Sequence, residues 1–460
     1  MIMRKTICAL LFTLLFVGFK SHDNYDLAIL NAKILDVKSG KVYTNRSILI
    51  RKGIIEKIVK GSKGVSANQL INAGGKLVTP SFIDTHVHPA DVFGDYADSP
   101  EFLIKDSLSN YRKRLSDEFL PYGVTSVFSM GHRESWIRPL LEWQNNPDPS
   151  YVDTFTCGAA ITTEGTYIGH TFVKGSAQAR EKVLEYKALG MDYIKLYART
   201  SPAEFRSAYR TADSLGMKVY GHIGDFHFNP DFITLPAALK IGLKNFEHLS
   251  TLPDAIMSKD DYALYTEQCR KLYGPRNSET KALQWILEEF RFADTYKRPE
   301  MNDLILKLAE NKVTFSTAIN FVYSQFGQTF FSTPADKTIT PELTARCREN
   351  FKIMMHYARL MHEKGIMLRI GTDSKDGGRA LLSEMLLMCE YGFSPEQVFK
   401  IATYNGAKAM GIDHQAGTIE EGKKANLIIW NADPLKGYKA ITGGKTIVKG
   451  GVIFNARGQY

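Results

Sequence analysis

The sequence predicts an α/β protein, a (β/α)8 barrel of parallel strands set between β-rich chain ends. Three observations carry that expectation. From about residue 77 to 410, short apolar strands alternate with helical stretches, the pattern of strand–helix units around a parallel sheet. Residues 25–79 and the tail read differently, as short alternating strands between turn residues: "DLAILNAKILDV", "SILIRKG" and "IIEKIVKG", then "KANLIIWNADP" and "KTIVKGGVIFN". Third, chemically distinctive residues close apolar strands at the spacing of one unit. Lys195 in "MDYIKLYA" and His222 in "MKVYGHIG" lie 27 residues apart, and His248 in "LKNFEHLS" follows 26 later. A chain of 460 residues is long enough for one large barrel plus an accessory unit.

Ahead of the first strand, Arg4 and Lys5 precede an apolar run from Ile7 to Phe19 that "KSHDNYD" breaks. This is the layout of a signal peptide over residues 1–21, cleaved on export or retained as an N-terminal anchor. The run is too short for a comfortable membrane span. The expectation is an exported protein, periplasmic or extracellular. Removing residues 1–21 takes away Arg4, Lys5 and Lys20 and no acid, so the formal charge of +9 becomes +6. No run of five basic residues stands out, which argues against nucleic acid as a partner. Cys157, Cys269, Cys347 and Cys389 are scattered without a CxxC, so neither a disulfide framework nor a thiolate metal site is signalled.

Within the alternating region some helices can be drawn in detail. Ser201 is placed as N-cap and Pro202 as the first helical residue; Phe205, Ala208, Tyr209, Ala212 and Leu215 form one apolar stripe, and Gly216 ends it. "SPEQVFKIAT" from Ser394 repeats that opening. Residues 253–312 are longer and more polar than a crossover needs, and are expected to form a helical insertion lying over a site as a lid.

The stretch "FIDTHVH" gives that site its first residues. His86 and His88 are two apart in a strand and therefore share a face. "IMLRIGTDS" closes another strand at Asp373, 287 residues beyond His86, room for eight units with one insertion. Singly, each has an ordinary explanation: a strand-end histidine is a satisfied polar group, Lys195 snorkels to solvent, and Asp373 caps a turn. Six ligand-type side chains at strand ends, in order and at unit spacing, favour a shared metal site on the carboxyl rim of a barrel.

The HxH pair, the lysine, the two later histidines and the aspartate together resemble the pattern of the amidohydrolase superfamily. "GGKLVTPSFIDTHVH", "GVTSVFSMG", "NFEHLS" and "ATYNGAKAMGIDHQAGTIEEGKKANLIIWNADPL" are similar to its motifs over nearly all the chain after the leader. The branch it looks most like is imidazolonepropionase-related and Xaa-Pro-dipeptidase-like. Ser81 where glycine is usual, Asn426 where aspartate is usual, and the 253–312 insertion are departures. The resemblance implies a barrel over 77–412 and a composite β-sandwich from 24–76 plus 413–460. It implies a carboxylated Lys195 bridging two divalent ions, most often zinc, with His86, His88 and Asp373 on one ion and His222 and His248 on the other. A hydroxide held between the ions would attack an amide or peptide-type carbonyl, with Asp373 as general base and then acid. His170, in "GTYIGHT", matches a position that contacts substrate. The implied partner is a small molecule such as an N-acyl amino acid or dipeptide; relatives often assemble as homo-oligomers. A lactone or phosphoester hydrolase, a mononuclear deaminase and a catalytically inactive binding homologue are the alternatives.

Overall fold

The computed structural model describes residues 25–89, 108–165, 169–224 and 229–455. The leader expected over residues 1–21 lies outside them. In chain order the first strands are β1 (Tyr25–Asp36), β2 (Lys41–Arg51), β3 (Ile54–Lys60), β4 (Ala67–Asn72), β5 (Leu77–Pro80), β6 (Phe82–Val87), β7 (Val124–Ser129), β8 (Asp153–Thr156) and β9 (Ala160–Thr162). They are followed by β10 (His170–Phe172), β11 (Tyr193–Leu196), β12 (Lys218–Gly221), β13 (Asn245–Phe246), β14 (Thr314–Ser316), β15 (Met367–Arg369), β16 (Leu427–Trp430), β17 (Lys445–Lys449) and β18 (Val452–Asn455).

Both chain ends build one mixed sheet, in the order β18-β17-β16-β5-β1-β2-β3 with β4 beside β1. Alternation explains it: Leu27 and Ile29 of β1, Ile48 and Ile50 of β2, and Leu427 and Ile429 of β16 share one apolar cluster, while Tyr25, Ala28 and Leu49 pack on the other face. β2 turns into β3 through Lys52 and Gly53, both in the left-handed region (φ +49° and +74°), as a two-residue hairpin requires. The sheet also takes in β5, at the start of the segment expected to open the barrel. β5 pairs antiparallel with β16, Leu427 opposite Pro80, and the buried Trp430 Nε1 donates to Thr79 Oγ1 at 3.0 Å. That seam joins residues about 350 positions apart directly beneath the strand that carries His86 and His88.

The remaining strands are all parallel and fall into two sheets, β6-β7-β8 and β10-β9-β11-β12-β13-β14-β15. Apart from β10 they follow one another in chain order. The last returns to the first: Thr85 N donates to Ile370 O at 2.9 Å and Asp373 N to His86 O at 2.9 Å. Between β8 and β9, Cys157 N continues the ladder to Ser129 O at 3.0 Å. Their side chains make the main core, from Val124 and Val127 through Ile194 and Phe246 to Leu368.

The helix Pro202–Ser214 begins as read, with Pro202 in its first turn and Phe205, Ala208 and Ala212 buried. Ser394 closes a capping box with Gln397. The expected insertion is three helices between β13 and β14: Lys259–Tyr273, Glu279–Tyr296 and Arg298–Glu310. It packs as part of the body of the protein. Tyr265, Trp285, Phe290 and Phe292 are buried, and Glu288 accepts from Arg346 Nε and Asn350 Nδ2, each at 2.8 Å, on the helix Pro341–Glu363. Among the described residues no helix is long and apolar enough to cross a membrane.

Candidate metal centre

Register determines which side chains meet. Gly221 pairs with both Leu196 and Phe246, so Lys195 lies one residue before that level, His222 one beyond it and His248 two beyond. The ligand-type residues therefore step along successive strands rather than standing level, the stagger that strand tilt imposes on a curved parallel sheet. The step brings them together. Asp373 Oδ1 lies 3.2 Å from His88 Nε2 and 3.5 Å from His86 Nε2, and Asp373 Oδ2 lies 3.7 Å from His248 Nε2. His86 Nε2 is 3.3 Å from His88 Nε2 and 3.3 Å from Lys195 Nζ. The His222 and His248 rings are 4.4 Å apart between centroids, and those of His86 and His248 4.6 Å. All six predicted ligand positions are in one cluster.

Second partners aim two of the rings. His86 Nδ1 is 2.7 Å from Glu247 Oε2 and His88 Nδ1 is 2.8 Å from Gly131 O. A carboxylate and a carbonyl only accept, so each ring carries its proton on Nδ1 and presents the Nε2 lone pair to the centre. This is how metal-binding imidazoles are held. His248 and Asp373 adopt left-handed backbone, φ +61° and +47°, although neither is glycine. Such conformations cost about 1–3 kcal/mol and persist only where surroundings hold them. Here Asp373 N is held by His86 O, and His248 O accepts from Thr251 N at 3.1 Å and Thr251 Oγ1 at 3.0 Å.

Burial sets the charge state. It pushes the imidazole of His86 down to about 4 and that of His222 to about 3, and holds that of His248 well below the usual histidine range. It also lowers the Lys195 amine. Against its own burial, Asp373 is kept well below the usual carboxylate range by His86, His88 and His248. The site at neutral pH thus offers neutral imidazoles and an ionised carboxylate, with a lysine whose amine burial makes easier to deprotonate. Three imidazole nitrogens converging on an ionised carboxylate fit a divalent cation of the zinc class. His86, His248 and Asp373 offer ligand atoms all within 4.8 Å of one another.

The cluster forms the floor of a cavity of about 780 Å³, which His88, Lys195, His222, His248 and Asp373 all line. His170 lines it too, its ring 4.1 Å from that of Tyr197, which in turn lies 4.6 Å from His222. Among the described residues the insertion reaches the cavity only through the start of its second helix, Glu279 and Thr280; the far wall comes from residues 321–337. The sequence reading missed Glu247 and Arg369. Both are wholly buried and ion-paired, and Arg369 also donates to Thr85 Oγ1 at 2.8 Å and Phe246 O at 3.2 Å. Their signal was present as single charges inside the apolar runs "NFEHL" and "IMLRIG". His132 is buried, 2.6 Å from Thr156 Oγ1 and stacked on Trp136.

Known proteins can be set beside this geometry. Over 103 residues the chain is 31% identical to imidazolonepropionase of Geobacillus kaustophilus, a match spanning 21% of this chain and about a quarter (24%) of that protein. Imidazolonepropionase of Bacillus cereus is 21% identical over 434 residues, 85% of this chain and 84% of its own. A Xaa-Pro dipeptidase solved with methionine in its active site has a similar fold, with a TM-score of 0.64 at 20% identity, covering 93% of this chain and 99% of that one. The amidohydrolase family model matches residues 77–453, a span that includes every residue of the cluster described above. The chain belongs to the amidohydrolase family.

Proposed function

We propose that this protein is an exported, binuclear metal-dependent hydrolase that cleaves an amide or peptide-type C–N bond. The observation that carries the reading is the Asp373 carboxylate within 3.7 Å of three imidazole nitrogens, with Lys195 Nζ against one of them, at the base of an open cavity. Family membership supports the reaction class, and the charged, apolar leader supports export. The two parallel sheets are read as arcs of one (β/α)8 barrel, β8 and β9 together forming its third strand; chain-order pairing and the β15-to-β6 hydrogen bonds support this. The mixed sheet, which also takes in β5 (Leu77–Pro80), is read as the accessory unit of residues 24–76 and 413–460.

His86, His88 and Asp373 would hold one ion and His222 and His248 the other, with carboxylated Lys195 between. Bound there, the two cations would polarise the scissile carbonyl and make water acidic enough to attack near neutral pH. The chain supplies the rest. Burial favours the neutral Lys195 amine, the form that adds carbon dioxide. Asp373, ionised and held by the three imidazoles, accepts a proton from the attacking water at its carboxylate and delivers it to the departing nitrogen. His170, on the cavity wall beside Tyr197, contacts substrate.

Metal analysis by mass spectrometry, coupled to a hydrolysis screen of N-acyl amino acids, dipeptides and lactones, tests the reading. Two ions per chain and amide turnover abolished by chelators are expected. Lys195→Ala should hold at most one ion; two ions and full activity in that variant would refute the bridge.

A further inference from the structure

We propose that Glu279 receives the α-ammonium of the substrate and Lys375 its carboxylate, so that the cavity selects dipeptides with both ends free over N-acylated amino acids. This rests on the hydrolase reading above and names the substrate class for that same site.

Both residues line the cavity whose floor holds Lys195, His222 and Asp373. Glu279 opens the second helix of the segment between β13 and β14, and its surroundings are fixed. Ser278 caps the helix through Lys281 N, Thr280 Oγ1 donates to Gln325 Oε1 at 3.0 Å, and Gln284 Nε2 donates to Asp336 Oδ2 at 2.7 Å. Cations near it are engaged elsewhere: Lys281 pairs with Asp336 at 3.4 Å, and Lys337 donates to Thr333 Oγ1 at 2.6 Å. The Glu279 carboxylate makes neither hydrogen bond nor ion pair among the described residues. Glu279 is exposed to the cavity, and desolvation and the negative Asp373 hold its carboxyl above the ordinary value. Lys375, two residues past Asp373 in the loop after β15, is likewise without a partner among the described residues. An acid can favour a helix start through the dipole alone. That explanation does not account for an unpaired cation lining the same cavity. Two opposite, unmatched charges in a space of about 780 Å³ complement the two ends of a small zwitterion, with the scissile carbonyl between them over Asp373.

The test compares alanylleucine, its N-acetyl form and its C-terminal amide on the metal-loaded full chain. Wild type should prefer the free dipeptide. In Glu279→Gln the ratio of kcat/KM for free over N-acetylated substrate should fall about 10- to 100-fold, mostly through KM, the size of a lost charge-assisted contact. Glu279→Asp should restore most of it. Lys375→Met should lower the ratio of free over amidated substrate by a similar factor. Ratios unchanged in both variants, or a wild-type preference for the N-acetyl form, would overturn the proposal while leaving the hydrolase reading intact. If wild type cleaves none of the three, that reading fails, and calorimetric binding of the same peptides to wild type and Glu279→Gln decides the inference: equal affinity for free and N-acetylated forms overturns it.

Discussion

Glu247 and Arg369 form a wholly buried ion pair directly behind the proposed metal centre, and its removal is the sharpest probe of how that centre is supported. Glu247→Gln keeps the shape of the side chain and an oxygen within 2.7 Å of His86 Nδ1, but removes the charge. Arg369 then keeps only neutral partners: Thr85 Oγ1 at 2.8 Å, Thr314 Oγ1 at 3.3 Å and Phe246 O at 3.2 Å. Burial alone would raise the Glu247 carboxyl; Arg369 and His86 instead hold it at about 2, so the pair is ionised throughout the neutral range. Leaving one buried charge without its counter-ion destabilises by about 3–5 kcal/mol, a large share of a total of about 5–15 kcal/mol. Arg369→Met strands the opposite charge and should lose a similar amount. The double variant Glu247→Gln, Arg369→Met leaves no buried charge unpaired, so its loss should fall several kcal/mol short of the sum. Urea unfolding of metal-free protein, followed by tryptophan fluorescence and circular dichroism in coincident transitions, measures these values. Chelator competition measures the second effect: with its anionic partner gone, His86 is a poorer ligand, and metal affinity should drop about 10- to 100-fold. A Glu247→Gln protein within 1 kcal/mol of wild type, or additive losses in the double variant, would show that the pair does not support the site.

Three further outcomes are expected. A Cβ at Gly371 would fall 2.6 Å from His86 Cβ, so Gly371→Ala should lose about 1–3 kcal/mol of stability and bind metal more weakly, read by the same two assays. Asp373→Asn should lower kcat by about 10²–10⁴-fold with KM little changed, because a proton carrier is lost and the amide still fills the position; near-normal kcat removes the role. Stability of the metal-free protein should rise with pH between about 4 and 6.5, since His86 and His132 (about 4) and His170 and His222 (about 3) refuse protons that the unfolded chain accepts below about 6.5. Each contributes up to about 1.4 kcal/mol per pH unit. Asp84 (about 7), Glu384 (about 8), Glu289 and Glu279 retain protons the unfolded chain releases and oppose the trend, but His248 and His362 are lowered as well, so six imidazoles stand against four carboxyls. Thermal melts at several pH values across that window check it, and a flat or falling profile would refute it.

What the sequence made legible follows from what periodicity encodes. Strand alternation is local, so the β-rich ends and the parallel region were readable, and unit spacing located Lys195, His222 and His248 because each crossover consumes a near-constant length of chain. The pairing of β5 with β16 was not readable, because Pro80 and Leu427 meet only through long-range closure. Nor was the stagger, since spacing in sequence gives strand ends but not the tilt that decides which residues face each other. Glu247 is not legible because alternation along a strand assigns it the face opposite His248. Its partner Arg369 lies 122 residues away, and neither charge announces the other. The insertion was legible as helical, yet its firm packing through Glu288, Arg346 and Asn350 was not, since a polar stretch reads as surface until its partners are known.

The backbone at His248 and Asp373 shows why this arrangement takes so many buried polar groups to hold. A strand alternates its side chains, so a histidine directly after Glu247 would ordinarily point away from the side Glu247 occupies. Yet Glu247 supports His86 from behind while His248 stands beside the same ring, 4.6 Å away. The left-handed turn at His248 is what permits both, and the one at Asp373 does the equivalent at the end of β15. Each conformation is locally unfavourable. They are stable because Thr251 and His86 O satisfy the backbone there and because the Arg369–Glu247 pair ties β15 to β13. Rigidity is therefore invested in the backbone before any ion binds, so the ligand atoms need little rearrangement to receive one. That same fixity leaves adaptable chemistry to the rim, where Glu279 and Lys375 have no partner among the described residues and where, on the proposal above, a change of side chain would alter which molecules are accepted without disturbing the floor beneath.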